Sequence, residues 1–260
     1  MERWFQGHLL HFEIQFIFLM EIQKDQPGLE TLELFANAPH FNQWLYENIS
    51  HYCQGSILEI GSGIGNISKL LLQQNGSITL SDLRIEYCEQ LRLHFGQYKN
   101  LLDILRIDLS LPDFANIYPK LLQQFDTVIA LNVIEHIEDD KLVINNCKKL
   151  LKPGGRIIIL VPAFFKLYNS FDEELGHFRR YDKKSLATLL QSQQLKIINI
   201  EYFNCAGILG WWFTGSVLKR KIIPRNQLDI YEKMVPLFRF FDKLLLKRIG
   251  LSVIAVAGVG

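Results

Sequence analysis

Glu59, Gly61, Gly63 and Gly65 occupy alternate positions in Ile57-Leu58-Glu59-Ile60-Gly61-Ser62-Gly63-Ile64-Gly65-Asn66. An apolar run ends here, and residues 67–72 read as helix, so the pattern is strand, tight turn, helix start. Glycines place no Cβ in the way and accept φ > 0, which lets backbone approach a ligand closely. The helix start adds unpaired N–H groups. Together these suit a nucleotide-like cofactor at the carboxyl end of a parallel strand. Asp82 closes a second apolar run, 77–81, where a carboxylate can accept hydrogen bonds from both hydroxyls of a ribose. Further on, Glu135-His136 and Gly176-His177-Phe178-Arg179-Arg180-Tyr181 offer chemistry of another kind. Imidazole takes a proton near neutral pH without a large shift. Adjacent guanidinium groups suit a phosphate or a carboxylate.

A sheet has to hold these groups. The apolar runs at 57–60, 77–81, 101–107, 125–131, 156–161 and 197–202 read as six strands, and 251–260 suits a seventh. Between them, 85–95 and 139–151 read as helices, the second lysine-rich toward its end, as the helix dipole favours. Lys152-Pro153-Gly154-Gly155 reads as a turn into strand five, and Asp182 as the N-cap of a helix beginning at Lys183. Upstream, 29–38 and 41–49 read as helices interrupted at Pro39, with Phe41 and Trp44 on an apolar face. Strands alternating with helices predict an α/β fold with a mostly parallel, doubly wound sheet. The chain divides into an extension (1–28), a core (29–202), an insert (203–250) and the final strand (251–260).

The insert is too long for a structureless loop, and its apolar spacing predicts a helical cap. It carries nine basic residues against three acidic ones, so basic character is concentrated there. Trp211, Trp212 and Phe213 lie close to Lys219, Arg220 and Lys221, the mixture that meets an anionic amphiphile or a membrane interface.

A dinucleotide turn reads G-x-G-x-x-G, whereas Gly65 follows Gly63 by two positions. Glu-x-Gly-x-Gly-x-Gly resembles the first motif of class I S-adenosylmethionine-dependent methyltransferases. The resemblance implies a seven-stranded Rossmann-like sheet, with strand seven antiparallel between five and six. It assigns cofactor contacts to Glu59, Gly61, Ser62, Gly63, Gly65, Asn66, Asp82, Leu83, Asp108, Leu109 and Asn132. Asp108 would meet the adenine amino group, and the segment after Asn132 would open toward the acceptor. The Val161-Pro162-Ala163, Leu167-Tyr168 and 176–181 segments resemble a bacterial branch associated with glycan or cell-envelope biosynthesis. That implies methylation of a hydroxyl on a small or lipid-linked, glycan-type acceptor. His136, His177 and Tyr181 are then the candidate catalytic groups, and Arg179, Arg180 and Trp211 the candidate acceptor contacts. Ubiquinone-pathway O-methyltransferases add a metal-binding glutamate three positions before Glu135-His136. Asn132 stands there, so no metal is expected. Two other readings compete: a non-catalytic S-adenosylmethionine-binding partner of an envelope glycosyltransferase, and an NAD-dependent reductase. No tyrosine has lysine four positions on, which disfavours the second.

With 260 residues, 21% charged and a net charge of +1, the chain can bury one large core. It lacks the basic excess of a dedicated nucleic-acid binder. Cys53, Cys88, Cys147 and Cys205 form no C-x-x-C pair, so the composition points to reduced thiols in the cytoplasm. The apolar run at 9–19 is too short and interrupted to span a bilayer and has no signal-peptide pattern. The reading is a cytoplasmic protein with peripheral contact to the inner face of the membrane through 203–250, and either translation starting at Met20 or residues 1–19 as a peripheral extension.

Overall fold

A computed structural model describes residues 26–74, 76–221 and 224–260. The 9–19 run, Met20 and most of the 1–28 extension lie outside the described residues. The sheet has seven strands in the order β3-β2-β1-β4-β5-β7-β6. They are β1 (Ile57–Ile60), β2 (Ile78–Asp82), β3 (Leu101–Arg106), β4 (Phe125–Leu131), β5 (Leu151–Pro162), β6 (Leu195–Phe203) and β7 (Ser252–Val259). β7 runs antiparallel to both β5 and β6, and the other pairs are parallel.

Both faces of the sheet are covered, which is why its central strands are apolar throughout rather than alternating. Leu58 and Ile60 point to one side, against Val143, Ile144 and Cys147 of the Asp140–Leu150 helix and Leu186 and Leu190 of the Lys183–Ser192 helix. Ile57 points to the other, with Trp44 and Ile49 of the Pro39–Ile49 helix and Cys88 and Leu91 of the Ile85–Phe95 helix. Trp44 is core, its ring 4.5 Å from that of Phe203.

One boundary differs from the sequence reading. Lys152-Pro153-Gly154-Gly155 lies inside β5 rather than ahead of it. Phe125 pairs with Leu151 and Thr127 with Arg156, so these four residues bulge opposite Asp126 alone. The Asp126 carboxylate holds the bulge, accepting from Lys152 Nζ at 2.7 Å and Ser56 N at 2.8 Å.

The insert is helical: Gly207–Trp211, a π-turn over Trp212–Val217, and a long helix over Arg225–Leu244. Carboxylates fasten it to the core. Asp242, 2% exposed, accepts from the backbone N–H of Asn204 and Cys205, each at 2.7 Å. Glu232 accepts from the N–H groups of His40 and Phe41. Those N–H groups open the Pro39–Ile49 helix, whose N-cap, Ala38, has no capping side chain. Glu232 therefore satisfies helix-start donors and places negative charge at the positive end of the dipole. Glu232→Ala is expected to lower stability by about 1–2 kcal/mol, read as an earlier urea midpoint. An unchanged midpoint would remove this role.

The other surface of the insert is apolar and exposed: Trp212, Phe213, Val217 and Leu218, then Leu237, Phe240, Leu244 and Leu246. Among the described residues, no helix is long and apolar enough to cross a membrane.

Candidate active site

The glycine turn leaves β1 beside the end of β2. Gly61, Gly63 and Gly65 have φ of 67°, 55° and 92°, a region that costs a residue with a Cβ. Space is short as well. A Cβ at Gly61 would lie 2.6 Å from Val133 Cγ2, and one at Gly65 2.2 Å from Phe95 Cε2. Asp82 Oδ2 accepts from Gly63 N at 2.9 Å and Oδ1 from Arg84 N at 3.0 Å, so this carboxylate sets the turn against β2. Glu59 is buried and accepts from Ser68 Oγ. Burial pushes its carboxyl up to about 7, with the Ser68 hydrogen bond opposing. Ser62 N donates to Ser81 O at 2.9 Å.

Other predicted contacts are placed differently. Asn66 Nδ2 donates to Leu32 O at 2.9 Å and so ties the turn to the Gln26–Ala36 helix. Asp108 Oδ1 accepts from Ser110 N at 2.8 Å and Ser110 Oγ at 2.6 Å. Leu109 is buried in the core, whereas Leu83 is exposed. Asn132 follows β4 with φ 53°, and its N–H donates to Leu160 O at 2.9 Å.

Val133, the residue that meets Gly61, leads into a turn over Ile134–His136. Phe178 N donates to Glu135 O at 2.8 Å, which brings the 176–181 segment onto this turn. The His136 and His177 rings meet edge to face at 4.6 Å. His177 Nδ1 bonds Asp172 Oδ1 at 2.8 Å. His136 keeps an exposed edge, yet its pKa is lowered to about 4, by desolvation first and by His177 second. Glu135 is fully buried, and burial raises its carboxyl to about 8. Among the described residues, its two oxygens are the buried side-chain atoms without a hydrogen-bond partner.

Arg180 is committed elsewhere than to an acceptor. It is 6% exposed, its Nε donates to Asp172 Oδ1 at 2.8 Å and its Nη1 to Ala163 O at 2.9 Å. Trp211 covers it, with the guanidinium 4.8 Å from the ring centre. Arg179 pairs with Asp140 at 2.9 Å and donates to Glu138 O at 2.6 Å. Tyr181 donates to Asp140 Oδ2 at 3.0 Å, and burial followed by the Asp140 charge raises its phenol further from ionisation. These three brace the segment that carries His177.

Residues 58–157 match the family described as a methyltransferase domain. Over that stretch the chain is similar to a methyltransferase domain. A ubiquinone biosynthesis O-methyltransferase of Xylella fastidiosa is 28% identical over 103 residues, 40% of each chain. The match thus spans about two fifths of that relative's length. An S-adenosylmethionine-dependent methyltransferase from Archaeoglobus fulgidus superposes with a TM-score of 0.52 at 15% identity, covering 84% of this chain and 94% of its own. The cyclase SpnF superposes with a TM-score of 0.54 at 15% identity, over 85% and 81%. A cyclase on this scaffold shows why likeness of fold does not settle an activity.

S-adenosylmethionine is the cofactor that the methyltransferase domain implies, and the residues fit it. The turn is open only to glycine at two positions, and a carboxylate stands at the end of β2, where a ribose is held. Asp82→Ala is expected to weaken S-adenosylmethionine binding by about 1.5–3 kcal/mol, read by calorimetry. Unchanged affinity would take Asp82 out of the site. Glu135 was paired with His136 in the sequence reading as a place for proton chemistry, whereas Asp172 escaped the candidate residues. Asp172 reads only as one of a run of acidic residues, and its role depends on contacts made by folding.

Proposed function

We propose that the protein transfers the methyl group of S-adenosylmethionine to a hydroxyl of a small or lipid-linked, glycan-type acceptor. The observation that carries this reading is the Glu135–His136–His177 cluster on the turn that touches the glycine loop through Val133 and Gly61. When bound, the cofactor supplies an already activated methyl electrophile, so the protein's part is chiefly alignment and provision for the hydroxyl proton. The histidine cluster is the place where that hydroxyl is held and loses its proton. The O-methyltransferase relative and the basic, aromatic insert support a hydroxyl acceptor that carries negative charge or a lipid tail.

Incubation of the protein with methyl-labelled S-adenosylmethionine and a cell extract is expected to place label in an anionic or lipid-extractable product. Binding without any transfer would leave a non-catalytic cofactor-binding partner instead. Tight NAD binding without S-adenosylmethionine binding would leave the reductase. The exposed Trp212, Phe213, Val217 and Leu218 beside Lys219, Arg220 and Lys221 support peripheral contact with an anionic membrane face. Replacing the three basic residues together is expected to reduce binding to anionic vesicles at low salt, where screening is weak. Equal vesicle binding by the parent and the triple variant would refute that contact.

A further inference from the structure

We propose that Glu135, His136 and His177 form a binding site for a divalent transition-metal ion of the zinc class. Among the described residues, these are the group of three whose nitrogen and carboxylate-oxygen ligand atoms lie together, all within 4.8 Å of one another. A second observation points the same way. Glu135 is fully buried and both carboxylate oxygens lack a hydrogen-bond partner. Buried polar groups are otherwise almost always paired, and a cation between Glu135 and the histidines supplies the missing partner.

The surroundings match a metal centre beyond its ligands. His177 gives Nδ1 to Asp172 Oδ1 at 2.8 Å, which leaves its other ring nitrogen for the ion. A carboxylate behind a ligating histidine fixes the ring and its tautomer. Asp172 is itself held by Arg180 Nε at 2.8 Å and Asn169 N at 3.0 Å. The exposed edge of His136 gives the otherwise closed cluster an opening. Two imidazoles and one carboxylate favour zinc-class ions over magnesium or calcium, which prefer all-oxygen sets. Three protein ligands leave a position open for an exogenous oxygen. On the methyl-transfer reading that oxygen is the acceptor hydroxyl, whose proton an adjacent cation makes easier to lose to solvent water at the exposed edge of His136, the histidines then acting as ligands and not as bases. Asn132 bears a neutral amide, and His177, some forty residues on, completes the set (136 to 177).

Binding is measured without methyl transfer. The protein is stripped with a chelator, dialysed against Zn²⁺ or Co²⁺, and assayed by elemental analysis and by the visible absorption of Co²⁺. One equivalent of metal and a Co²⁺ band are expected. His136→Gln, chosen because that ring is partly exposed, and Glu135→Gln should each weaken uptake by at least about tenfold, since even residues behind a ligand cost about that much when replaced. A parent protein that takes up neither ion, or takes up Mg²⁺ in preference, overturns the proposal. So does uptake that both variants retain in full while melting as the parent does. Calorimetry with S-adenosylmethionine on the same samples separates the two readings. Cofactor binding and methyl transfer without metal uptake sink this proposal alone. Metal uptake without transfer leaves the metal site standing and sinks the proposed activity.

Discussion

Asp172→Ala is expected to destabilise the protein by about 3–5 kcal/mol, the size seen when a buried ion pair loses one partner. Asp172 is completely buried and Arg180 nearly so. The carboxylate accepts from Arg180, from His177 and from Asn169 N. Burial alone would raise its pKa, but the His177 hydrogen bond and the Arg180 charge outweigh that and hold it below the ordinary value. Its removal strands a guanidinium under Trp211 with Ala163 O as its remaining hydrogen-bond acceptor. Chemical denaturation checks the size. A loss under about 1 kcal/mol, as for an exposed pair, would show that water reaches Arg180.

The second large effect is a pH dependence set by Glu59. Its carboxyl lies at about 7 in the folded protein against an ordinary 4.5, so the folded state holds its proton more tightly than the unfolded chain. The contribution to stability is full below the ordinary value and is lost as pH rises through the folded one. Between about pH 4.5 and pH 8 the loss is on the order of 3 kcal/mol. Glu59→Gln has no proton to lose, so its stability relative to the parent should rise by that amount over the same range. Denaturation of both proteins at each pH, without cofactor, isolates the group because other titrations cancel. A parallel pH profile for the two proteins would place Glu59 in contact with water.

Much of this was readable from residue order. The Ile85–Phe95 helix and β4 fall where periodicity puts them, and Asp182 caps its helix through Ser185 N at 2.7 Å. The order of the sheet, with β7 antiparallel inside it, follows the family pattern. What escaped depends on distant partners. Arg180 reads as an acceptor contact, and only Asp172 and Trp211 together make its burial tolerable. Asn66 reads as a cofactor contact, and that reading did not show that its side chain also ties the turn to the Gln26–Ala36 helix. The proline and glycines inside β5 read as a turn because nothing local reveals that Asp126 holds them as a bulge.

The placement of β7 has a consequence for the order in which the protein acquires its structure. Among the described residues, β6 has no strand neighbour except β7, and β7 alone joins it to β5. During synthesis β6 therefore leaves the ribosome some fifty residues before its pairing partner (203 to 252). The Pro39–Ile49 helix waits longer still, since the glutamate that caps it stands 192 residues beyond His40. Such distant closures come late because chain entropy must be surrendered before the contact returns anything. Until then β5 is an open sheet edge, the kind of surface that recruits other chains. A nascent chain stalled before β7 thus lacks two strands of the sheet, not one, and exposes the apolar edge of β5 to its neighbours.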